Sequence, residues 1–190
     1  MGLWLGPSAP YLLLLYLLWP HPKGTASIDG RFAIEQVAAL ATALTAGIAT
    51  LSLIVPGRAR AVALLPVVPL AFWMLTVGQA CAREWSAGEP LLPILPHWEC
   101  FVATVMAGAV PAIVMMLMLR RGAPLMPRLT MLLGAIAVAS LANFCIRFAH
   151  KFDSSFVVLT WHVGAVMALA AALASRGRQA FNWQKIAHAK

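Results

Sequence analysis

The residues that could do chemistry in this chain are few, and the cysteines come first. There are three, Cys81, Cys100 and Cys145. Cys81 falls at the end of a long apolar run, Cys100 opens the next run, and Cys145 lies about one turn inside the far end of a later one. If that side of the molecule faces an oxidising compartment, Cys81 and Cys100 can form a disulfide. As thiolates they can instead hold a soft metal ion, with His97 and His150 nearby in the topology. No CxxC and no close ligand spacing supports the metal option, and a plain reading as small hydrophobes at helix ends stays open for all three.

The histidines and charged groups add little catalytic promise. His162, beside Trp161, falls inside an apolar run, where an ionisable residue is a functional candidate. A neutral imidazole bonded to a carbonyl or a threonine explains it as well. Haem would need histidines facing one another across helices, and the remaining candidates lie at loop level. Arg147, Lys151 and Asp153 are expected to pair, with Glu35 and Gln36 closing a polar cluster beside them. No chain of acids crosses the middle of any run, so this is a sensing or packing cluster rather than a proton path. The sequence has no Walker motif, no HExxH, no GxSxG and no paired carboxylates. No enzymatic activity and no resident cofactor is expected; the one metal reading is a transient soft ion on Cys81 and Cys100.

The elements that carry these residues are membrane helices. Of 190 residues 62% are hydrophobic and 11% charged, against roughly 45–50% and about 25% in soluble domains. A bilayer core of about 30 Å needs about 20 apolar residues in a helix. Six stretches approach that length: 3–19, 32–55, 61–80, 98–119, 129–148 and 156–175. Prolines and glycines punctuate the gaps, as at Pro56-Gly57 and Gly122-Ala-Pro124. Pro66, Pro69 and Pro111 fall inside spans, where neighbouring helices can satisfy the freed carbonyls. The expectation is an all-α bundle of about six transmembrane helices, one integral membrane domain over 1–190, with 176–190 as a tail.

The basic residues orient it. With the N-terminus inside, the inner segments hold Arg58, Arg60, Arg120, Arg121, Arg128, Arg176, Arg178, Lys185 and Lys190. The other side holds Lys23, Arg31, Arg83, Arg147 and Lys151 and all six acids. Basic residues concentrate on the cytoplasmic side, which places the C-terminus in the cytoplasm. The same net charge of +8 fits cationic loops against anionic lipid, not a surface that binds nucleic acid directly. Trp19, Trp85, Trp98 and Trp183 stand near span ends, as interfacial aromatics do. The first span has a rival reading as a cleaved signal peptide with Ala26 as the cleavage position, although the basic segment that usually opens one is missing. Small residues at i, i+4 spacing, Ala39, Ala43 and Gly47 in one span and Gly164, Ala168 and Ala172 in another, permit close helix packing.

An ordered set of segments carries a resemblance. It includes Phe32 through Leu44, Val55-Pro-Gly-Arg58, Pro69-Leu-Ala-Phe-Trp73, Gly78-Gln-Ala-Cys81, Trp98-Glu-Cys-Phe101, Gly108-Ala-Val-Pro111, Arg120-Arg-Gly-Ala-Pro-Leu125, Pro127-Arg-Leu-Thr130, Ala142-Asn-Phe144 and Val158 through Gly164. In these the chain resembles the NrsF family, six-helix membrane negative regulators of extracytoplasmic-function sigma factors. The resemblance implies an anti-sigma factor that holds its sigma factor at the inner face and releases it on an outside stress, a heavy metal or an oxidant. It implies sensing by Cys81 and Cys100, with His150 as an auxiliary ligand. Arg120, Arg121 and Arg128, the densest inner motif, are the candidate partner-binding residues, with a topology anchor as the plainer reading. The chain departs from the family at its start, where members carry a charged tail before the first helix, and at Lys151, where some members have cysteine. A small transporter or channel is the alternative; it calls for polar residues along the midplane and symmetry between halves, and neither is visible.

Overall fold

The computed structural model describes residues 1–19, 30–55, 57–87, 98–122 and 126–149, together with Gly164. Across these residues the chain forms five α-helices: α1 (Gly2–Leu18), α2 (Gly30–Ser52), α3 (Val67–Ser86), α4 (Trp98–Arg121) and α5 (Pro127–Ala149). Four segments are long and apolar enough to cross a membrane: Gly30–Ser52, Arg60–Ser86, Val102–Arg121 and Pro127–Phe148. The fold is therefore the all-α bundle that the apolar runs require. The expected sixth span, 156–175, and the tail, 176–190, lie outside the described residues.

Two boundaries differ from expectation, each for a local reason. The run 61–80 is not one helix: a short 3-10 turn, Arg60–Leu64, precedes α3. Pro66 takes the N-cap of α3 and Pro69 falls in its first turn, where the missing N–H has no helical partner to lose. The helix then continues to Ser86, so Cys81 sits more than a turn inside it rather than at its end. α1 runs unbroken through Pro7 and Pro10.

Lipid is as apolar as leucine, so helices in a membrane associate through close fit and interhelical hydrogen bonds rather than through a hydrophobic driving force. α2 and α5 run antiparallel along a seam of small side chains: Ala46 and Ala49 on α2, and Ala137 and Ser140 on α5, are all buried. Thr42 and Thr50 are fully buried in the same helix without cost, because each hydroxyl donates to the carbonyl four residues earlier, at 2.8 and 2.7 Å. Gly134 passes Thr50 so closely that a Cβ there would stand 3.4 Å from the threonine methyl. α4 packs on the other side of α5, with Gly108 against Val138.

α1 is plugged into this frame. Trp4 is fully buried, and its indole N–H donates to the Pro111 carbonyl at 3.0 Å. Its ring lies over Gly47, where a Cβ would come within 2.9 Å. The Tyr11 hydroxyl donates to the Met106 carbonyl at 2.6 Å. The stripe of Ala39, Ala43 and Gly47 is thus packing surface, shared between α3 and α1: Ala39 meets Trp73 and Val77, while Gly47 receives Trp4. Among the described elements α3 packs chiefly on α2, through that small cluster, and leaves Val68, Phe72 and Leu75 exposed, a surface suited to lipid.

Candidate functional site

The described charged side chains gather at the two ends of the bundle. At one end α2 and α4 finish and α3 and α5 begin. Gly57, at φ 84°, turns the chain after α2 in a backbone conformation that only glycine takes without strain. Gly122 ends α4 directly against Ile54, where a Cβ would lie 2.8 Å from the isoleucine Cβ. The C-terminal ends of α2 and α4 therefore abut. This end of the bundle exposes Arg58, Arg60, Arg120, Arg121 and Arg128. Arg120 and Arg121 occupy the last turn of α4, where a cation offsets the negative end of the helix dipole. Both carboxylates whose side chains are described, Glu35 and Glu84, stand at the opposite end. A cleft of about 190 Å³ opens beside this basic end, lined by Met1, Ile48, Leu51, Ser52, Val55 and Arg58.

The opposite end has mixed charge and more geometry. Glu35 is 8% exposed and accepts from Arg31 Nε and from Arg147 Nη2, each at 3.1 Å. The second bond ties α2 to α5. The Arg147 guanidinium also stands 5.7 Å from the Phe32 ring centroid, a cation–π distance. Phe32 meets Phe148 edge-on at 5.4 Å, and Phe148 meets Phe144 at 5.3 Å. Sequence reasoning named Arg147, Glu35 and Gln36 as one polar cluster, and the structure joins the first two. Gln36 is buried but makes no side-chain hydrogen bond. Lys151 and Asp153 lie outside the described residues.

The cysteines divide by helix. Cys81 is a free, half-buried thiol on α3, in the electrostatic reach of Glu84, Arg31 and Glu35. Cys145 is also free and half-buried; its thiol donates to the Leu12 carbonyl at 3.5 Å, so it serves the packing of α1 on α5. Cys100 is on the first turn of α4, with a side chain outside the description, and His97, His150 and His162 lie outside it too. Among the described residues no group of three or more His, Cys, Asp or Glu side chains is placed to hold a metal ion.

Sequence reasoning missed the interhelical bonds of Trp4 and Tyr11, because their partners are backbone carbonyls about a hundred positions away and no local spacing encodes them. It also missed Asn143, which is 4% exposed with its Oδ1 unpaired. A polar amide in the middle of an apolar run was the available signal. No curated protein and no solved structure matches the chain. A family model does, over residues 1–183: NrsF, described as negative regulator of sigma F. That match spans the helices, both charged ends and all three cysteines, and by it the chain belongs to the NrsF family of negative regulators of a sigma factor.

Proposed function

We propose that this protein is a multi-pass anti-sigma factor of the bacterial inner membrane, with its basic end and C-terminus in the cytoplasm. It sequesters an extracytoplasmic-function sigma factor at that inner face and releases it when a heavy metal or an oxidant acts outside. The family match over residues 1–183 carries the regulatory part of this reading. The orientation is supported by the charge arrangement: five exposed arginines cluster at one end, and both described carboxylates stand at the other. A basic end of this kind faces the cytoplasm.

The partner's docking surface is the basic end carrying Arg58, Arg60, Arg120, Arg121 and Arg128, with membrane lipid as the surrounding ligand. Sensing falls to Cys81 and Cys100 on the outside, with His150 as an auxiliary ligand. A change there must favour one helix arrangement over another by a real free-energy difference if it is to weaken binding at the far end.

The test is co-purification of a co-expressed sigma factor encoded beside this gene. Retention in the detergent-extracted membrane fraction is the expected result. Absence of retention, by this chain and by a version extended upstream, would sink the reading.

A further inference from the structure

The ion pairs at the mixed-charge end close over a weak stretch of the principal helix seam. Glu35, Arg147, Phe32 and Phe148 fasten the first two turns of α2 to the last two turns of α5. The next stretch inward is poorly satisfied. Gln36 is 5% exposed, and neither atom of its amide has a hydrogen-bond partner. Asn143 leaves its Oδ1 unpaired at 4% exposure. The pairing of Glu35 with Arg147 sets an antiparallel register that brings Asn143 level with Ala39, so Gln36 and Asn143 stand at depths within about one turn of each other. Farther in, Thr42 and Thr50 satisfy themselves and the small residues pack closely. Among the described residues, the unsatisfied side-chain groups fall in the stretch directly beneath the ion pairs.

A buried amide without a partner is unfavourable and gains by meeting water. A buried ion pair that loses one member leaves an uncompensated charge. The seam is thus held shut from its end, against a section that gains from opening. We propose that Glu35 is a latch: its bond to Arg147 keeps α2 and α5 closed over Gln36 and Asn143, and its release lets that stretch hydrate and tilts the two helices at the basic end. α2 and α5 are each 23 residues long, so a tilt of roughly 5° about the middle moves each end by about 1.5 Å. Small displacements of this size are what packed interfaces convert into a second arrangement. Cys81 lies level with this latch, since α3 packs Trp73 and Val77 on Ala38 and Ala39, and the charges of Arg31 and Glu35 reach it. The latch itself stands on the seam geometry; its control of partner release rests on the anti-sigma reading.

Hydrogen–deuterium exchange of the full chain in lipid nanodiscs, together with sigma-factor retention, tests it. Glu35→Gln is expected to speed exchange in 32–38 and 142–148 by at least about tenfold while leaving 42–50 close to the parent, and to lower retention. Gln36→Met removes the unpaired amide at similar volume and is expected to act oppositely, slowing exchange in the same segments and raising retention. Unchanged exchange in both variants overturns the latch. Faster exchange in Glu35→Gln with retention equal to the parent overturns its control of binding. If the parent chain retains no sigma factor, the anti-sigma reading fails with that control, and the exchange comparison still decides the latch.

Discussion

Trp4→Ala should unseat α1. The side chain is fully enclosed, sits on the bare backbone of Gly47 and donates to the Pro111 carbonyl. In a bilayer the unfolded reference exchanges protein contacts for lipid contacts, so area-based hydrophobic bookkeeping does not apply. The cost comes from the void and the lost bond. If partial collapse leaves roughly 100 Å³, the void costs about 2.4 kcal/mol at about 24 cal/mol per Å³. The hydrogen bond adds about 0.6 kcal/mol, the average for interhelical bonds in membrane proteins. The sum, about 3 kcal/mol, is about two decades in the unfolding equilibrium. Trp4→Phe keeps most of the ring and should cost about a third of that. Gly47→Leu attacks the same contact from the other side and should destabilise by about 1–3 kcal/mol through overpacking. Pulse proteolysis in SDS mixed micelles reads the free energies. A Trp4→Ala midpoint equal to the parent's would refute the packing argument and return the first span to the signal-peptide reading. N-terminal sequencing of the membrane-extracted protein supplies the independent check, with retention of the first helix as the expected result.

Reversing Arg120, Arg121 and Arg128 to Glu should reduce sigma-factor retention at least about tenfold, whereas Lys at all three should keep most of it; a pull-down at two salt concentrations separates the cases. Gly122→Leu should cost about 1–3 kcal/mol, because its Cβ meets Ile54 at 2.8 Å. Ile54→Ala in the same chain should recover part of the loss, a coupling that a double-mutant cycle measures. A double Cys81→Ser, Cys100→Ser variant should hold its sigma factor when inducer is added; release equal to the parent's in a promoter-reporter assay would remove the cysteines from the sensing step.

What the sequence makes legible follows from which signals a bilayer amplifies. Apolar length is such a signal, and four of the spans it marks appear as helices long enough to cross. The basic residues sort by face without knowledge of any contact: of the described ones, Arg58, Arg60, Arg120, Arg121 and Arg128 stand at one end without a described carboxylate, while Arg31, Arg83 and Arg147 share the other with Glu35 and Glu84. The Ala39, Ala43 and Gly47 stripe is legible as packing surface because only small residues admit a neighbour that close. Its division between α3 and Trp4 is not, since that depends on which helices are neighbours. The pairing of Glu35 with Arg147 is half legible: both residues are conspicuous as charges near span ends, yet their contact spans 112 positions of chain and no local spacing encodes it. Gln36 is the instructive case. Its position beside Glu35, one turn into the span, reads as part of the polar cluster, yet its buried amide finds no partner, against the usual satisfaction of buried polar groups. The three buried hydroxyls and amides that α2 carries within four turns, Gln36, Thr42 and Thr50, look alike in sequence. The threonines are short enough to reach back to their own helix. The glutamine must look outward, so its fate is set by the neighbouring helices, and the stretch beneath Glu35 is where the described bundle departs from self-sufficient packing.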